Sequence, residues 1–143
     1  MIKKVSSDYA WGTFKNGRDS DHGIFYKSSK FNFISNDTIS TALRVINQFT
    51  VSSKLTHDTL IIYAVHLKAS SGGDNELLRA AEVDSLRKVT NKLHSGANCL
   101  VLGDFNIYKS SEAAYTKLIS TDASGYFIDY LKDSIAGTWN NVA

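Results

Sequence analysis

The feature that most constrains this chain is a strand–helix–strand series between residues 60 and 103. Leu60-Ile-Ile-Tyr-Ala-Val-His-Leu67 is an apolar, β-branched run behind a polar turn at residues 52–58, and it reads as a strand. Asp74 offers an N-cap and Glu76 complements the helix dipole. Leu78, Leu86, Val89 and Leu93 then recur at helical spacing, with Leu77 and Ala81 widening the stripe. With Gly96 as a C-terminal cap, this spacing predicts a helix over residues 74–94. Asn98-Cys-Leu-Val-Leu-Gly103 is a continuous apolar run of the kind buried on both faces of a sheet. The series is a βαβ unit, with a right-handed crossover joining two parallel, neighbouring strands. Parallel strands bring their carboxyl ends to one sheet edge, where sites in open α/β folds collect. One of those ends carries His66, and the other runs into Asp104 and Asn106.

The rest of the chain fits an α/β fold. Gly23–Ser29 and Phe31–Ser35 have the composition of two short strands, and Arg44–Val51 of a third that forms an antiparallel hairpin with Leu60–Leu67. Residues 1–21 read as an irregular lead-in with scattered aromatics, Tyr9, Trp11 and Phe14. A second, shorter helix is expected from Ser111, capped by Ser110 or Ser111. Residues 125–131 and 137–141 read equally well as strand or loop. No repeat or Pro/Gly-rich linker divides the chain, so a single domain spans residues 1–143.

Composition removes several function classes. With 43% hydrophobic and 21% charged residues, the balance is that of an ordinary globular protein. A net charge of +2, from 16 basic and 14 acidic residues, is too small to mark a nucleic-acid coat protein. No apolar stretch approaches the roughly 18 residues needed to span a membrane. The single Cys99 excludes an internal disulfide and reads as a small buried hydrophobe. His22, His57 and His94 lack companions at metal-ligand spacing and are assigned to the surface.

In Gly103-Asp104-Phe105-Asn106, strand alternation points Asp104 and Asn106 to one side and turns Phe105 into the core. An aspartate there can orient or deprotonate a water, and an asparagine can donate to a phosphate oxygen. The alternative is that both side chains cap the next turn. His66, taken singly, reads as a satisfied edge histidine. Set beside Asp104 and Asn106 by the topology, it completes an acid/base and phosphate-binding constellation.

His66-Leu67-Lys68-Ala69-Ser70, a helix bearing Asn75, Arg79 and Glu82, and Leu102-Gly103-Asp104-Phe105-Asn106 together resemble the central block of the endonuclease/exonuclease/phosphatase superfamily. Gly23-Ile-Phe-Tyr-Lys-Ser28 resembles an upstream strand of that family, so the likeness extends over residues 20–120. It implies a two-sheet α/β sandwich, a divalent cation (magnesium or manganese) and attack of water on a phosphate ester, foremost in nucleic acid. The same likeness also allows a phosphomonoesterase or phospholipid diesterase, or a truncated binding module. It makes His66 the residue that assists protonation or phosphate binding. Asp104 becomes the aspartate that orients the water or the metal, and Asn106 the one that steadies the transition state. Asn75, Arg79 and Glu82 fall near the apolar stripe. An Arg79–Glu82 pair three residues apart and half buried would hold the strand ends in place. Lys68 reads as an exposed loop lysine.

Two parts of the family pattern have no counterpart: the metal-binding Asn and Glu of earlier strands, and a late Ser-Asp-His triplet. The expectation is a partial domain with one sheet face uncovered, inactive by itself and prone to associate or to need its missing half.

Overall fold

A computed structural model describes residues 7–17 and 20–130. Residues 137–141, left open between strand and loop above, lie outside the described residues. The chain forms two compact units, Met1–Val65 with Gly96–Gly103, and His66–Ser95 with Asp104–Ala143.

The first unit is built on strands. β1 (Tyr9–Trp11) pairs antiparallel with β2 (Phe25–Lys27), and β3 (Phe31–Ile39), β4 (Ile46–Ser53), β5 (Thr59–His66) and β6 (Asn98–Asp104) form a sheet in that order. β3–β4 and β4–β5 are antiparallel, the latter being the expected hairpin. β5 and β6 run parallel. Asn98 Nδ2 reaches the Thr59 carbonyl at one end, 3.4 Å, and Leu67 N donates to the Asp104 carbonyl at the other, 2.9 Å. The sheet is therefore mixed, as the βαβ reading requires. Two expectations change. Tyr9–Trp11 lies in the stretch read as irregular, and becomes a strand by pairing with β2 rather than by any local pattern. β3 continues to Ile39 through polar residues, carried across a bulge between Phe33 and Ser35 by its register with β4.

Ile46, Phe49, Val51, Tyr63 and Val65 are buried in this unit. Beside Phe49 and Val51 opens an apolar cavity of about 520 Å³, lined also by Tyr26, Phe31, Ile62 and Leu102. Leu100 and Leu102 are 45% and 49% exposed, which corrects the expectation that β6 is buried on both faces. β6 is one of the two edge strands of this sheet among the described residues, and its Leu100 and Leu102 side chains remain about half exposed. His22 is likewise not a bare surface residue. Its Nδ1 lies 3.0 Å from Asn47 Oδ1, Asn47 donates to Asn36 at 2.9 Å, and Asn36 donates to the Thr13 carbonyl at 2.8 Å. Asn36 and Asn47 are buried, and this chain of bonds satisfies them.

The second unit holds α1 (Gly73–Thr90) and α2 (Ala113–Ile119), packed on each other. α1 starts one residue earlier than expected, with Gly72 rather than Asp74 at the N-cap position, while Asp74 and Glu76 sit in the first turn. It stops at Thr90, short of Gly96, whose φ of +80° serves the turn into β6 instead. The buried face is Arg79, Ala80, Glu82, Val83, Leu86, Arg87 and Thr90. Leu77 is 69% exposed and Ala81 also faces out, so the stripe lies to one side of the one predicted. Hydrophobicity alone misplaced it because three of the buried positions carry charge. Glu112, not Ser110 or Ser111, occupies the N-cap position of α2. Arg87 closes the other end of α2, donating to the carbonyls of Leu118 (3.1 Å), Ser120 (3.0 Å) and Ala123 (3.3 Å). Residues 125–130 form neither helix nor strand.

Candidate active site

The site residues sit where β5 and β6 end. Gly103 carries a φ of +133°, and a Cβ there would overlap the Val65 carbonyl oxygen. Glycine is thus what allows the two strands to approach at this level. One residue on, the backbones are joined by the Leu67–Asp104 hydrogen bond, so His66 and Asp104 end adjacent strands. His66 is half-buried and Asp104 exposed.

Beyond Asp104 the strand geometry stops. Asn106 has a left-handed backbone, φ 48°, and its N–H donates to Asp104 Oδ1 at 3.0 Å. The extended alternation expected for Asp104 and Asn106 therefore does not persist, because a short Asx-type turn replaces it. Asparagine is among the few residues that adopt this backbone at modest cost. The turn brings the Asn106 side chain back to the β5 end, where Nδ2 donates to the Leu67 carbonyl at 3.1 Å. One N–H of that amide is thereby engaged by the β5 end. Phe105 is half-buried.

The support beneath these ends differs from the expected pair. Arg79 and Glu82 are fully rather than half buried, at 0% and 3% exposed, and each holds a backbone group of the loop after β5. Glu82 Oε2 accepts the backbone N–H of Lys68 at 2.8 Å. Arg79 Nη1 donates to the carbonyls of Lys68 (2.8 Å) and Ser70 (2.9 Å), and its Nε is ion-paired with Glu112 at 2.9 Å. The ion-pair partner described for Arg79 is thus 33 residues away in sequence. Tyr108 lies over the guanidinium, 5.3 Å from ring centre to Cζ, and its N–H donates to Glu112 Oε1 at 2.8 Å. Asn75 is not drawn into this network. It donates to the Ser71 carbonyl, 2.8 Å, within its own turn. Lys68 is half-buried, and its ammonium turns back to the Ala69 carbonyl at 2.9 Å. Glu112 and Tyr108 escaped sequence reading. The only local signal was a carboxylate at the start of a short helix, which ordinarily faces water.

The described residues contain no group of three or more His, Cys, Asp or Glu side chains able to hold a metal ion. Asp104 brings one carboxylate, and one of its oxygens already accepts a backbone bond. Magnesium prefers several anionic oxygens in octahedral array. The described donors therefore do not amount to a magnesium site.

No family model matches the chain, and no curated protein matches it either. Solved structures do match. The human Nocturnin catalytic domain, solved with a bound sulfate, aligns at a TM-score of 0.61 and 18% identity, over 84% of this chain and 50% of that one. An endonuclease/exonuclease/phosphatase from Bacteroides vulgatus aligns at 0.62 and 14%, over 85% and 52%. TDP2 of D. rerio, complexed with a single-stranded DNA product, aligns at 0.53 and 19%, over 76% and 43%. The chain thus has the fold of the endonuclease/exonuclease/phosphatase proteins, and it spans about half the length of the structures it matches.

Proposed function

We propose that this chain supplies the phosphate-orienting part of a phosphoesterase domain whose foremost substrates are phosphodiesters of nucleic acid. The observation that carries the reading is Asn106, held by backbone and side chain between two strand ends that also present His66 and Asp104. Asn106 donates its second amide N–H to a non-bridging oxygen, and gains most as negative charge builds on the phosphorus oxygens. Asp104, through the oxygen not used by the turn, orients the attacking water. His66 binds the phosphate or gives a proton to the departing ester oxygen as the P–O bond breaks. Arg79 and Glu82 hold these groups in place and do not touch substrate.

A divalent cation, magnesium or manganese, belongs to this reading for the complete domain, where it would neutralise phosphate charge. The described residues do not form its site. By itself the chain is therefore inactive or nearly so. Its open β6 face, with Leu100 and Leu102 exposed, makes it self-associate or bind the remainder of the domain.

A mannosyl-6-phosphatase from Bacteroides thetaiotaomicron has the same fold, with a TM-score of 0.58 at 16% identity, and favours phosphomonoester hydrolysis as a second reading. The two separate on substrates. Plasmid DNA, bis-p-nitrophenyl phosphate and p-nitrophenyl phosphate are offered with magnesium to this chain and to a version extended by its flanking reading frame. Diester cleavage by the extended version alone supports the proposal. Cleavage of the monoester alone supports the second reading. Silence on all three leaves a non-catalytic binding module or a phospholipid diesterase.

A further inference from the structure

We propose that Glu112 is a positioning residue, whose two carboxylate oxygens lock the loop after β5 to the loop after β6 and so fix Asn106. The inference rests on the reading of Asn106 as a phosphate-orienting group.

Each oxygen has a separate partner. Oε2 accepts from the buried Arg79 guanidinium, which in turn holds the Lys68 and Ser70 carbonyls of the loop that follows His66. Oε1 accepts the N–H of Tyr108, two residues past Asn106. One carboxylate therefore joins both site-bearing loops. Each loop it joins carries a non-glycine residue with a left-handed backbone, Ser70 at φ 77° and, at the modest cost asparagine allows, Asn106 at φ 48°. Non-glycine residues keep such backbones only where the surroundings over-determine them, and here the bonds on either side do so.

Stability alone is a poor account of the pair. The Arg79 and Glu112 side chains are 0% and 1% exposed, and such pairs are often matched or bettered in stability by packed apolar residues. Their planar, forked geometry gives direction that a hydrophobic pair of equal volume lacks. Arg79 Nη2 has no hydrogen-bond partner among the described residues, so the guanidinium is not set for the greatest number of bonds. Its Nε and Nη1, the edge facing Glu112 and the two carbonyls, carry the network.

The test separates holding the fold from holding the site. In this chain, the Arg79→Met/Glu112→Leu double variant removes both buried charges, and Glu112→Asp keeps the charge on a shorter arm. Urea midpoints report the fold. The two side-chain amide proton resonances of Asn106 report the bond to Leu67. A positioning role predicts a double variant that still folds, at a lowered urea midpoint because the Tyr108 N–H and the Lys68 and Ser70 carbonyls lose their partners, with the Asn106 amide protons exchanging like those of a solvated amide. Glu112→Asp should fold and show partial loss of the same signature. In the extended version, kcat on bis-p-nitrophenyl phosphate should fall on the order of 100-fold with little change in KM, as expected for misplacement by about 1 Å. Unaltered Asn106 resonances in a folded double variant, or in Glu112→Asp if the double variant does not fold, overturn the proposal. An extended parent without activity counts against the phosphoesterase reading, while the Asn106 resonances still decide the role of Glu112.

Discussion

Replacing Glu82 tests the support under the site in a way that can be worked from the structure. Glu82 is 3% exposed, and its carboxylate accepts the Lys68 N–H at 2.8 Å, two residues past His66. A charge-assisted bond of this kind contributes about 1.5–3 kcal/mol, and its loss leaves a half-buried N–H unsatisfied. Glu82→Ala should therefore cost roughly 2–4 kcal/mol, a large share of the ~5–15 kcal/mol that holds a typical domain. Glu82→Gln keeps an acceptor oxygen in the same place and should cost about 1 kcal/mol. Urea denaturation gives the two energies, and amide hydrogen exchange at Lys68 gives the local consequence. Protection at Lys68 should vanish in the alanine variant and persist, weakened, in the glutamine variant. A Lys68 amide equally protected in all three proteins would refute the reasoning, since the bond would then not hold the β5 end.

Other expectations follow from single features of the fold. Gly103→Ala places a Cβ on the Val65 carbonyl at a φ of +133°, and should cost roughly 2–5 kcal/mol in urea denaturation. Burial pushes the Tyr63 phenol from 10.0 up to about 12, with the neighbouring Cys99 thiolate adding to the rise. Because the folded value is the higher one, the stability held by the neutral phenol is complete below pH 10 and drains away towards pH 12. The loss totals about 2–3 kcal/mol, so stability should fall less steeply across that range in Tyr63→Phe. Leu100→Lys with Leu102→Lys should shift sedimentation of this chain towards monomer with little change in its unfolding midpoint, because both side chains are already about half exposed.

How far the sequence reaches can be seen element by element. β4, β5, α1 and β6 are legible because each is long and strongly patterned, and their order alone implies the parallel β5–β6 pair that brings His66 to Asp104. β1 is three residues long and owes its strand form to β2, so no local signal marks it. The inner face of α1 was misjudged because Arg79, Glu82 and Arg87 are buried through partners up to 36 residues away, which a hydrophobic pattern does not register. Asp104 and Asn106, the residues of the proposed site, are legible in the sequence as a strand-end motif. Their geometry was not, because it depends on a left-handed turn and on a carboxylate at Glu112 that looks like surface. His22 was misassigned for the same reason, its partner Asn47 lying on a different strand.

The most direct test of the central claim is the kcat of the extended version on bis-p-nitrophenyl phosphate with magnesium, before and after Asn106→Ala. Loss of one transition-state donor costs on the order of 100- to 1000-fold in kcat, and a fall of that size is the result expected. Activity retained within about threefold by a folded Asn106→Ala protein would contradict the assignment, and with it the claim that this strand-end turn orients phosphate.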